Sequence, residues 1–479
     1  MRVAVSVPAT IANLGPGFDV LGMAVGIHCI FEATTLEGEG NSGDMGGPAC
    51  GGGYTGGRED SGPGQASRIS IEASGEDASK ISLCPGDNLV VRAMNAVAGR
   101  AGRSLPPMSI TIRNSIPLAR GMGSSAAAIV GGLMLANEVL GRPLSGEAML
   151  ELACEIEGHP DNVVPAIVGG LAISAVVDGR VVFSRLPVTY GLKVVVAIPD
   201  FEVRTQDARR VLPRQVPLGD AVFNLSRLAL LVTSFVENRP DRLDIAMQDR
   251  LHQPYRQGLV PGLSDVFTGA RKAGALGVAL AGSGPSVVAL VPDVDRAGQV
   301  AASMVDAFSL HGISARAKIT EVSPRGTHAI AYSDLAMARD LLESRDCGLI
   351  FVKGGRVLFE SHGTGVKPLL ESVLQLRDEL RGAACADKII GRASSLLLRY
   401  AGVDSAFARV AGSQALQDLV SAGILADCDT TVNTILNRDR TGPCPFEELT
   451  RSVDDPESAV RLLRERLGMW GDERLSCQG

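Results

Sequence analysis

Hydrophobic residues follow two periods along this chain, and the two alternate from the N-terminus onward. Residues 3–7 alternate small and β-branched side chains, which predicts a strand, whereas residues 88–101 carry apolar side chains at helical spacing. The glycine- and serine-rich segment 121–125 leads into an alanine-rich apolar run up to Leu140, which predicts a loop feeding a buried helix. Similar strand-like runs occur at 69–73, 108–112, 171–183, 192–198, 278–280 and 287–291, and helical patterns at 220–236 and 297–310. This interleaving predicts a mixed α and β fold.

The pattern changes near residues 322–325, where a strand-like stretch ends and a new helical pattern starts around Tyr332. Beyond this point, the runs 348–352 and 356–360 are separated by Lys-Gly-Gly, which indicates a hairpin. We therefore predict a linker at 323–345 and a separate domain at 346–470.

Residues 38–67 differ from the rest because they are almost only glycine, serine, proline and charged side chains. Such a segment cannot bury enough apolar area to offset its ordering entropy, so we expect a disordered surface insertion. The chain as a whole is 45% hydrophobic and 21% charged, which is typical of a globular protein.

Charge and cysteine content exclude several classes of protein. Lysine and arginine number 46 against 53 acidic residues, and a net charge of -7 offers no footprint for a nucleic acid backbone. The nine cysteines lack the spacing of a disulfide framework, which favours a reducing compartment. Proline and glycine interrupt the N-terminus before a signal peptide could form, and no apolar run is long enough to span a bilayer. We expect a cytoplasmic protein with neither a nucleic acid nor a membrane partner.

The segment 120–128 combines glycines, exposed backbone N–H groups and a helix N-terminus, as a phosphate-binding loop requires. Other nucleotide motifs do not fit. No Gly-Lys dipeptide occurs, which excludes a Walker A loop, and the first glycine-rich turn at 15–17 lacks the Rossmann spacing.

Three segments together, 8–19, 116–128 and 281–286, resemble the GHMP kinases. Residues 13–19 and 157–163 are most similar to the branch of that superfamily that phosphorylates L-homoserine, and the resemblance covers about residues 1–322. It implies a two-lobed α+β fold, with an N-terminal ATP-binding lobe at 1–170 and a C-terminal lobe at 171–322.

The resemblance also implies a reaction, the transfer of the γ-phosphoryl group of ATP to the side-chain hydroxyl of L-homoserine on the path to threonine, with Mg2+. Two alternatives stay open at this point: another small-molecule kinase of the superfamily, and a nucleotide-binding regulatory protein without turnover. A homodimer is also left open.

For the nucleotide and metal, the resemblance implies a phosphate cradle, an adenine contact and two oxygen ligands for Mg2+. The cradle would be formed by Arg120, Gly121, Gly123, Ser124 and Ser125, and the adenine contact by Asn88. Magnesium would be held by Ser125 and by one of three neighbouring glutamates, Glu151, Glu155 and Glu157, of which the sequence does not show the one that points inward. We favour Glu151, with Glu155 as the alternative one turn along the same helix.

For the acceptor, the resemblance implies that Asn13 and Asp19 contact the hydroxyl and amino groups. Arg209 and Arg256 would bind the α-carboxylate, since a guanidinium matches a carboxylate in two places, and His159 would line the pocket. No lysine stands near the first motif, so direct attack by the hydroxyl with electrostatic help is the expected mechanism.

Residues 346–467 resemble a small prokaryotic domain with a cytidine-deaminase-like, three-layer α/β fold, through the segments 349–352, 386–393 and 437–445. The zinc ligand set of a deaminase is incomplete, because Cys444 has no second cysteine at the required spacing. We therefore expect no zinc-dependent deamination. A binding or regulatory module with an unknown ligand is favoured over an enzyme that uses Asp387, Lys388 or Cys444.

Overall fold

The computed structural model describes residues 1–36, 69–188, 191–437, 439 and 441–469. The predicted glycine-rich insertion at 38–67 lies outside these residues. The chain divides into two compact units, Met1–Ala329 and Ile330–Gly479.

A seven-stranded sheet forms the first half of unit 1. Its strands are β1 (Arg2–Asn13), β2 (Gly17–Thr35), β3 (Ile69–Gly75), β4 (Met108–Asn114), β5 (Leu171–Val177), β6 (Arg180–Leu186) and β11 (His328–Ile330). The order is β11-β1-β2-β4-β3, and β5 joins β2 and carries β6. The turn between β1 and β2, at 13–17, places the first motif at one end of this sheet.

Four helices pack with this sheet, namely α1 (Leu89–Arg100), α2 (Ser124–Val139), α3 (Gly146–Glu157) and α4 (Pro160–Val168). The alanines and glycines at 126–136 are mostly buried in α2, which allows close approach to α1 and β1. The prediction of a loop that feeds a buried helix here is confirmed.

The second lobe of unit 1 contains a four-stranded sheet of order β10-β7-β9-β8, formed by β7 (Lys193–Pro199), β8 (Gly277–Leu280), β9 (Val287–Val291) and β10 (Ala315–Glu321). Its helices are α5 (Thr205–Arg210), α6 (Leu218–Val236), α7 (Leu243–Ala246), α8 (Gln253–Arg256), α9 (Leu263–Lys272) and α10 (Val294–Ser309). In β7, Val194 and Val196 belong to one core and Val195 and Ala197 to another, so both faces are covered.

Among the described helices, α6 has the length and apolar composition that would let a helix cross a membrane, and 22% of it is packed inside the structure. Its packed face carries Asn224, whose amide donates to Asp249 over 2.7 Å.

Unit 2 contains a five-stranded sheet of order β13-β12-β14-β15-β16, from β12 (Leu349–Lys353), β13 (Arg356–Ser361), β14 (Ala384–Ile390), β15 (Ser405–Gly412) and β16 (Leu425–Val432). Its helices are α11 (Tyr332–Ser344), α12 (Val366–Leu376), α13 (Arg392–Ala401), α14 (Ser413–Ser421), α15 (Pro445–Leu449) and α16 (Pro456–Arg466). The predicted hairpin is confirmed, with Lys353 paired to Arg356. The segment expected to be a linker contains β11 and α11, so it is largely regular structure.

Candidate active site

A cleft in unit 1 brings together loops that are far apart in the sequence. It is lined by the β1–β2 turn, the loop before α2, the junction of α3 and α4, α5, α8 and the loop after β8. Of the side chains and glycines predicted for the site, the cleft contains Asn13, Asp19, Gly121, Gly123, Ser124, Ser125, His159, Arg209 and Arg256. Arg120, Asn88 and Glu151 do not line it.

The first turn is held by Asn13, which lies in the left-handed region with φ of 72°. Its side-chain amide donates to the carbonyl of Gly282 over 2.9 Å, and its Oδ1 accepts from the backbone N–H of Asp19 over 3.1 Å. Asn13 therefore ties the first motif to the third and orients Asp19, so its amide is already occupied by protein contacts.

The predicted phosphate loop needs its glycines for conformation and for space. Gly121 and Gly123 have φ of 74° and 68°, and a Cβ on them would overlap the Ala281 carbonyl oxygen and the Thr10 hydroxyl, respectively. Helix α2 starts at Ser124 with Gly123 as its N-cap, and no side chain caps its free N–H groups. A helix N-terminus of this kind attracts anions, because unpaired N–H groups and the helix dipole point the same way.

The carboxylate beside Ser125 is that of Glu157. The Ser125 hydroxyl donates to Glu157 Oε2 over 2.8 Å, and burial raises the pKa of Glu157 although this hydrogen bond opposes the shift. The prediction of Glu151 is not supported, because Glu151 does not line the cleft, and Glu155 instead pairs with Arg100 at 2.9 Å. Residue 157 lies two positions beyond 155, and therefore about 200° further round the helix.

Two side chains predicted to bind the nucleotide make hydrogen bonds within the protein. The Arg120 guanidinium donates to the backbone carbonyls of Phe201 and Asp200, over 2.7 and 3.2 Å. Asn88 caps α1, where its Oδ1 accepts from the N–H groups of Val90 and Val91. The sequence shows a helix-capping residue at 88 and an arginine at 120, but it does not show that both side chains are hydrogen-bonded to the protein backbone.

Asp19 and Arg209 form an ion pair with two contacts, at 2.7 and 3.0 Å, and both side chains are partly exposed to the cleft. The Arg209 guanidinium lies 5.5 Å from the centre of the Phe18 ring, and that of Arg256 lies 5.3 Å from it. Two cations and one carboxylate thus surround a single aromatic ring at the mouth of the cleft.

Arg256 is 2% exposed and held from several sides. Its Nε donates to Ala208, and its Nη1 donates to the Gly282 carbonyl and to His252 Nδ1, at 3.2, 2.9 and 3.1 Å. Its Nη2 makes no hydrogen bond to the described residues. Burial, and then the like charge of Arg209, lower the pKa of Arg256 to about 10. The free Nη2 is a fixed donor for an anion.

His252, which contacts Arg256, and Asp161, which lines the cleft, are two residues that the sequence did not identify. His252 is fully buried and accepts from Arg256 at Nδ1, so its Nε2 donates to the Gly15 carbonyl over 2.7 Å. Asp161 lies 2.6 Å from His159 Nδ1. Burial opposes a charge on His159, yet this contact raises its pKa. His252 could have been identified from the sequence, because it lies four residues, about one helical turn, before Arg256.

Comparison with known proteins finds family matches in both units. Residues 88–170 match the GHMP kinases N terminal domain, 231–310 match the GHMP kinases C terminal model, and 337–467 match a domain of unknown function, DUF1893. The chain is 40% identical over 324 residues to a homoserine kinase of Carboxydothermus hydrogenoformans, which covers 68% of this chain and 95% of that protein. It is 42% identical over 320 residues to that of Moorella thermoacetica, covering 67% and 96%.

Among solved structures, a homoserine kinase of Cytophaga hutchinsonii superposes with a TM-score of 0.58 at 29% identity, over 69% of this chain and 97% of that one. The expected GHMP kinase fold is therefore confirmed for unit 1. The deaminase-like relationship of unit 2 stays a prediction.

Proposed function

The chain belongs to the homoserine kinase family, and from this membership we propose how its residues perform the reaction. It is an ATP-dependent kinase of threonine biosynthesis that phosphorylates the side-chain hydroxyl of L-homoserine. The observation that carries the residue assignments is the cleft itself. The N-terminus of α2, which no side chain caps, lines the cleft, and so does buried Arg256, whose Nη2 makes no hydrogen bond to the described residues. The cleft therefore offers one anion site for a phosphate chain and another for a carboxylate.

The phosphates of ATP lie at the start of α2 in this proposal. The free N–H groups of the first turn donate to phosphate oxygens, and the left-handed Gly121 and Gly123 let the backbone approach them without side chains in the way. Phosphoryl transfer depends mainly on positioning and charge stabilisation, which this rigid loop supplies.

The donor set at Ser125 and Glu157 fits Mg2+, which prefers hard oxygen ligands. When bound, the ion neutralises charge on the transferring phosphoryl group. The chain's own contribution is to hold the Ser125 hydroxyl and the Glu157 carboxylate 2.8 Å apart beside the phosphate loop. We propose Glu157, in place of Glu151, as the acidic metal ligand.

The amino acid binds at the other end of the cleft. Arg256 Nη2 and the Arg209 guanidinium receive the α-carboxylate, and Asp19 receives the α-ammonium group, so the substrate zwitterion matches the charges around Phe18. His159 lines the same pocket. Its Nδ1 contacts Asp161, and its Nε2 has no partner among the described residues.

No lysine lines the cleft, and the proposed mechanism needs none. The substrate hydroxyl oxygen bonds to the γ-phosphorus as the bond from that phosphorus to the bridging oxygen breaks, so ADP leaves with the electron pair and the hydroxyl proton passes to water. In a loose transition state the nucleophile needs little prior deprotonation. Asn13 contributes by fixing the turn that carries Asp19.

An assay of ATP consumption with L-homoserine, L-serine, L-threonine and mevalonate tests the proposal. We expect L-homoserine to have the highest kcat/KM, because its carboxylate and ammonium group meet Arg256 and Asp19 while its longer side chain reaches the phosphate. A preference for mevalonate, which has no ammonium group, would contradict the role of Asp19 and favour another kinase of the superfamily.

We further propose that catalysis resides in Met1–Ala329, since every residue assigned to the cleft lies there. The boundary between its two lobes lies after β6 and not at the expected residue 170, because β5 and β6 pair with the first sheet. A cytoplasmic location is supported by the cysteines, because the seven in the described residues are all free thiols.

A homodimer through α6 is the remaining part of the proposal. Leu218, Val222, Leu225 and Val236 are 80%, 55%, 68% and 58% exposed and recur at the spacing of one helix face. Two copies related by a two-fold axis would cover this stripe with itself. In light scattering, Leu225→Glu should give a monomer, whereas the control Leu310→Glu, also on an exposed leucine, should not. A wild-type monomer at micromolar concentration would refute the dimer.

A further inference from the structure

Three side chains that can bind a metal lie together in unit 2. Cys347 precedes β12, Glu360 is in β13 and His362 follows β13. The antiparallel pairing of the two strands, with Leu349 opposite Ser361, brings these positions to the same end of the hairpin. One donor atom from each of the three side chains lies within 4.8 Å of the others.

The distances between the donor atoms suit a tetrahedral ion. The Cys347 thiol donates to Glu360 Oε1 over 3.0 Å, and His362 Nε2 lies 3.7 Å from the same oxygen. Tetrahedral zinc, with bonds of about 2.3 Å to sulfur and about 2.0 Å to nitrogen or oxygen, places sulfur and oxygen about 3.5 Å apart and nitrogen and oxygen about 3.3 Å apart. These two separations differ from the tetrahedral ones by roughly half an ångström each, and the sulfur and nitrogen also lie within 4.8 Å of each other.

The types of donor select the metal. A thiolate, an imidazole and a carboxylate form a set that favours Zn2+, whereas Mg2+ and Ca2+ prefer oxygen donors alone. Cys347 is fully buried and the His362 side chain is 68% exposed, so the sulfur lies inside and the imidazole at the surface. An ion can therefore enter from solvent and keep a water molecule as its fourth ligand.

The surroundings also fit. Arg345 donates to the second carboxylate oxygen of Glu360 over 2.5 Å, which leaves Oε1 directed at the cysteine and histidine. Outer hydrogen bonds of this kind orient a ligating carboxylate. The nearby ammonium group of Lys388 is paired with Asp346 at 2.7 Å, so its charge is partly offset.

We propose that Cys347, Glu360 and His362 bind one Zn2+ ion with a fourth position open to solvent. The site lies within unit 2 and is separate from the Ser125 and Glu157 pair of the kinase cleft. It also differs from the zinc arrangement of a deaminase, which the sequence around Cys444 excludes, because strand pairing and not a paired cysteine motif assembles it.

Titration of the full-length, chelator-treated protein with Co2+ in place of Zn2+ tests the proposal. We expect one equivalent of Co2+ to produce the visible bands of a tetrahedral site and a sulfur-to-cobalt charge-transfer band in the near ultraviolet, both abolished by one equivalent of Zn2+. Absence of the charge-transfer band in the wild-type protein would overturn the proposal.

Variants assign the ligands. Cys347→Ser should remove the charge-transfer band, and His362→Ala, at an exposed position that the fold does not depend on, should weaken Co2+ binding at least about tenfold. Cys428→Ser, which alters another thiol of unit 2, is the matched control and should bind as the wild type does. A band that persists in Cys347→Ser, or unchanged affinity in His362→Ala, would refute the assignment.

Discussion

Replacement of Glu157 by glutamine should lower kcat/KM for L-homoserine by about 30- to 400-fold without unfolding the protein. Loss of one partner from a hydrogen-bonded charged group costs about 2–5 kcal/mol, and because Glu157 is half-buried we expect the lower part, about 2–3.5 kcal/mol. At 1.36 kcal/mol per factor of ten, this range gives the stated loss of rate. A glutamine can still accept the Ser125 hydrogen bond, and it removes a charge whose burial is unfavourable.

The measurement is steady-state kinetics at several Mg2+ concentrations, with the melting temperature as a check on folding. Activity of Glu157→Gln should recover partly as Mg2+ is raised, since the weakened step is metal binding. Glu151→Gln and Glu155→Gln are matched controls on the same helix and should stay within about twofold of wild type. Neither side chain lines the cleft, and a surface ion pair such as that of Glu155 with Arg100 contributes about 0–1 kcal/mol. A larger loss in Glu151→Gln than in Glu157→Gln would refute the assignment.

Arg209→Leu should raise the KM for L-homoserine at least about thirtyfold, because a lost charged partner costs about 2 kcal/mol or more. The control Arg210→Leu changes an exposed neighbouring arginine and should leave KM unchanged. Equal KM values in the two variants would exclude Arg209 from the site. Burial lowers the pKa of His252 below its ordinary 6.5, so unfolding takes up a proton below that pH and wild-type melting temperature should fall on acidification. His252→Asn, which keeps an acceptor for Arg256 but does not titrate, should show a smaller fall, and an identical pH profile would contradict a buried neutral imidazole. A fragment of residues 1–331 should keep kcat/KM within about twofold of the full chain, and a folded but inactive fragment would show that unit 2 is required.

Much of the fold could be predicted from periodicity, because strands and helices that bury one face carry that face in the sequence. The buried helix α2 and the hairpin of β12 and β13 are examples. The segment 323–345 shows what periodicity leaves out. Its helical pattern from Tyr332 corresponds to α11, but such a pattern does not show whether a helix belongs to a compact unit or to a linker.

In the site, the sequence by itself determined the parts that depend on local backbone conformation. Gly121 and Gly123 adopt left-handed conformations that other residues disfavour, and Ser125 follows at the start of the helix, so the proposed phosphate loop is encoded within a few consecutive residues. The family motifs around Asn13 and Asp19 are equally local, and both residues line the cleft.

Only the tertiary structure decided which distant groups meet. Rotation of α3 turns Glu157 toward Ser125, 32 residues away, and leaves Glu155 facing Arg100. In the same way, the pairing of β12 with β13 brings Cys347 to Glu360. A helical pattern shows which face is apolar, but the orientation of each polar side chain depends on the packing of elements that are remote in sequence, and no short stretch of residues records that packing.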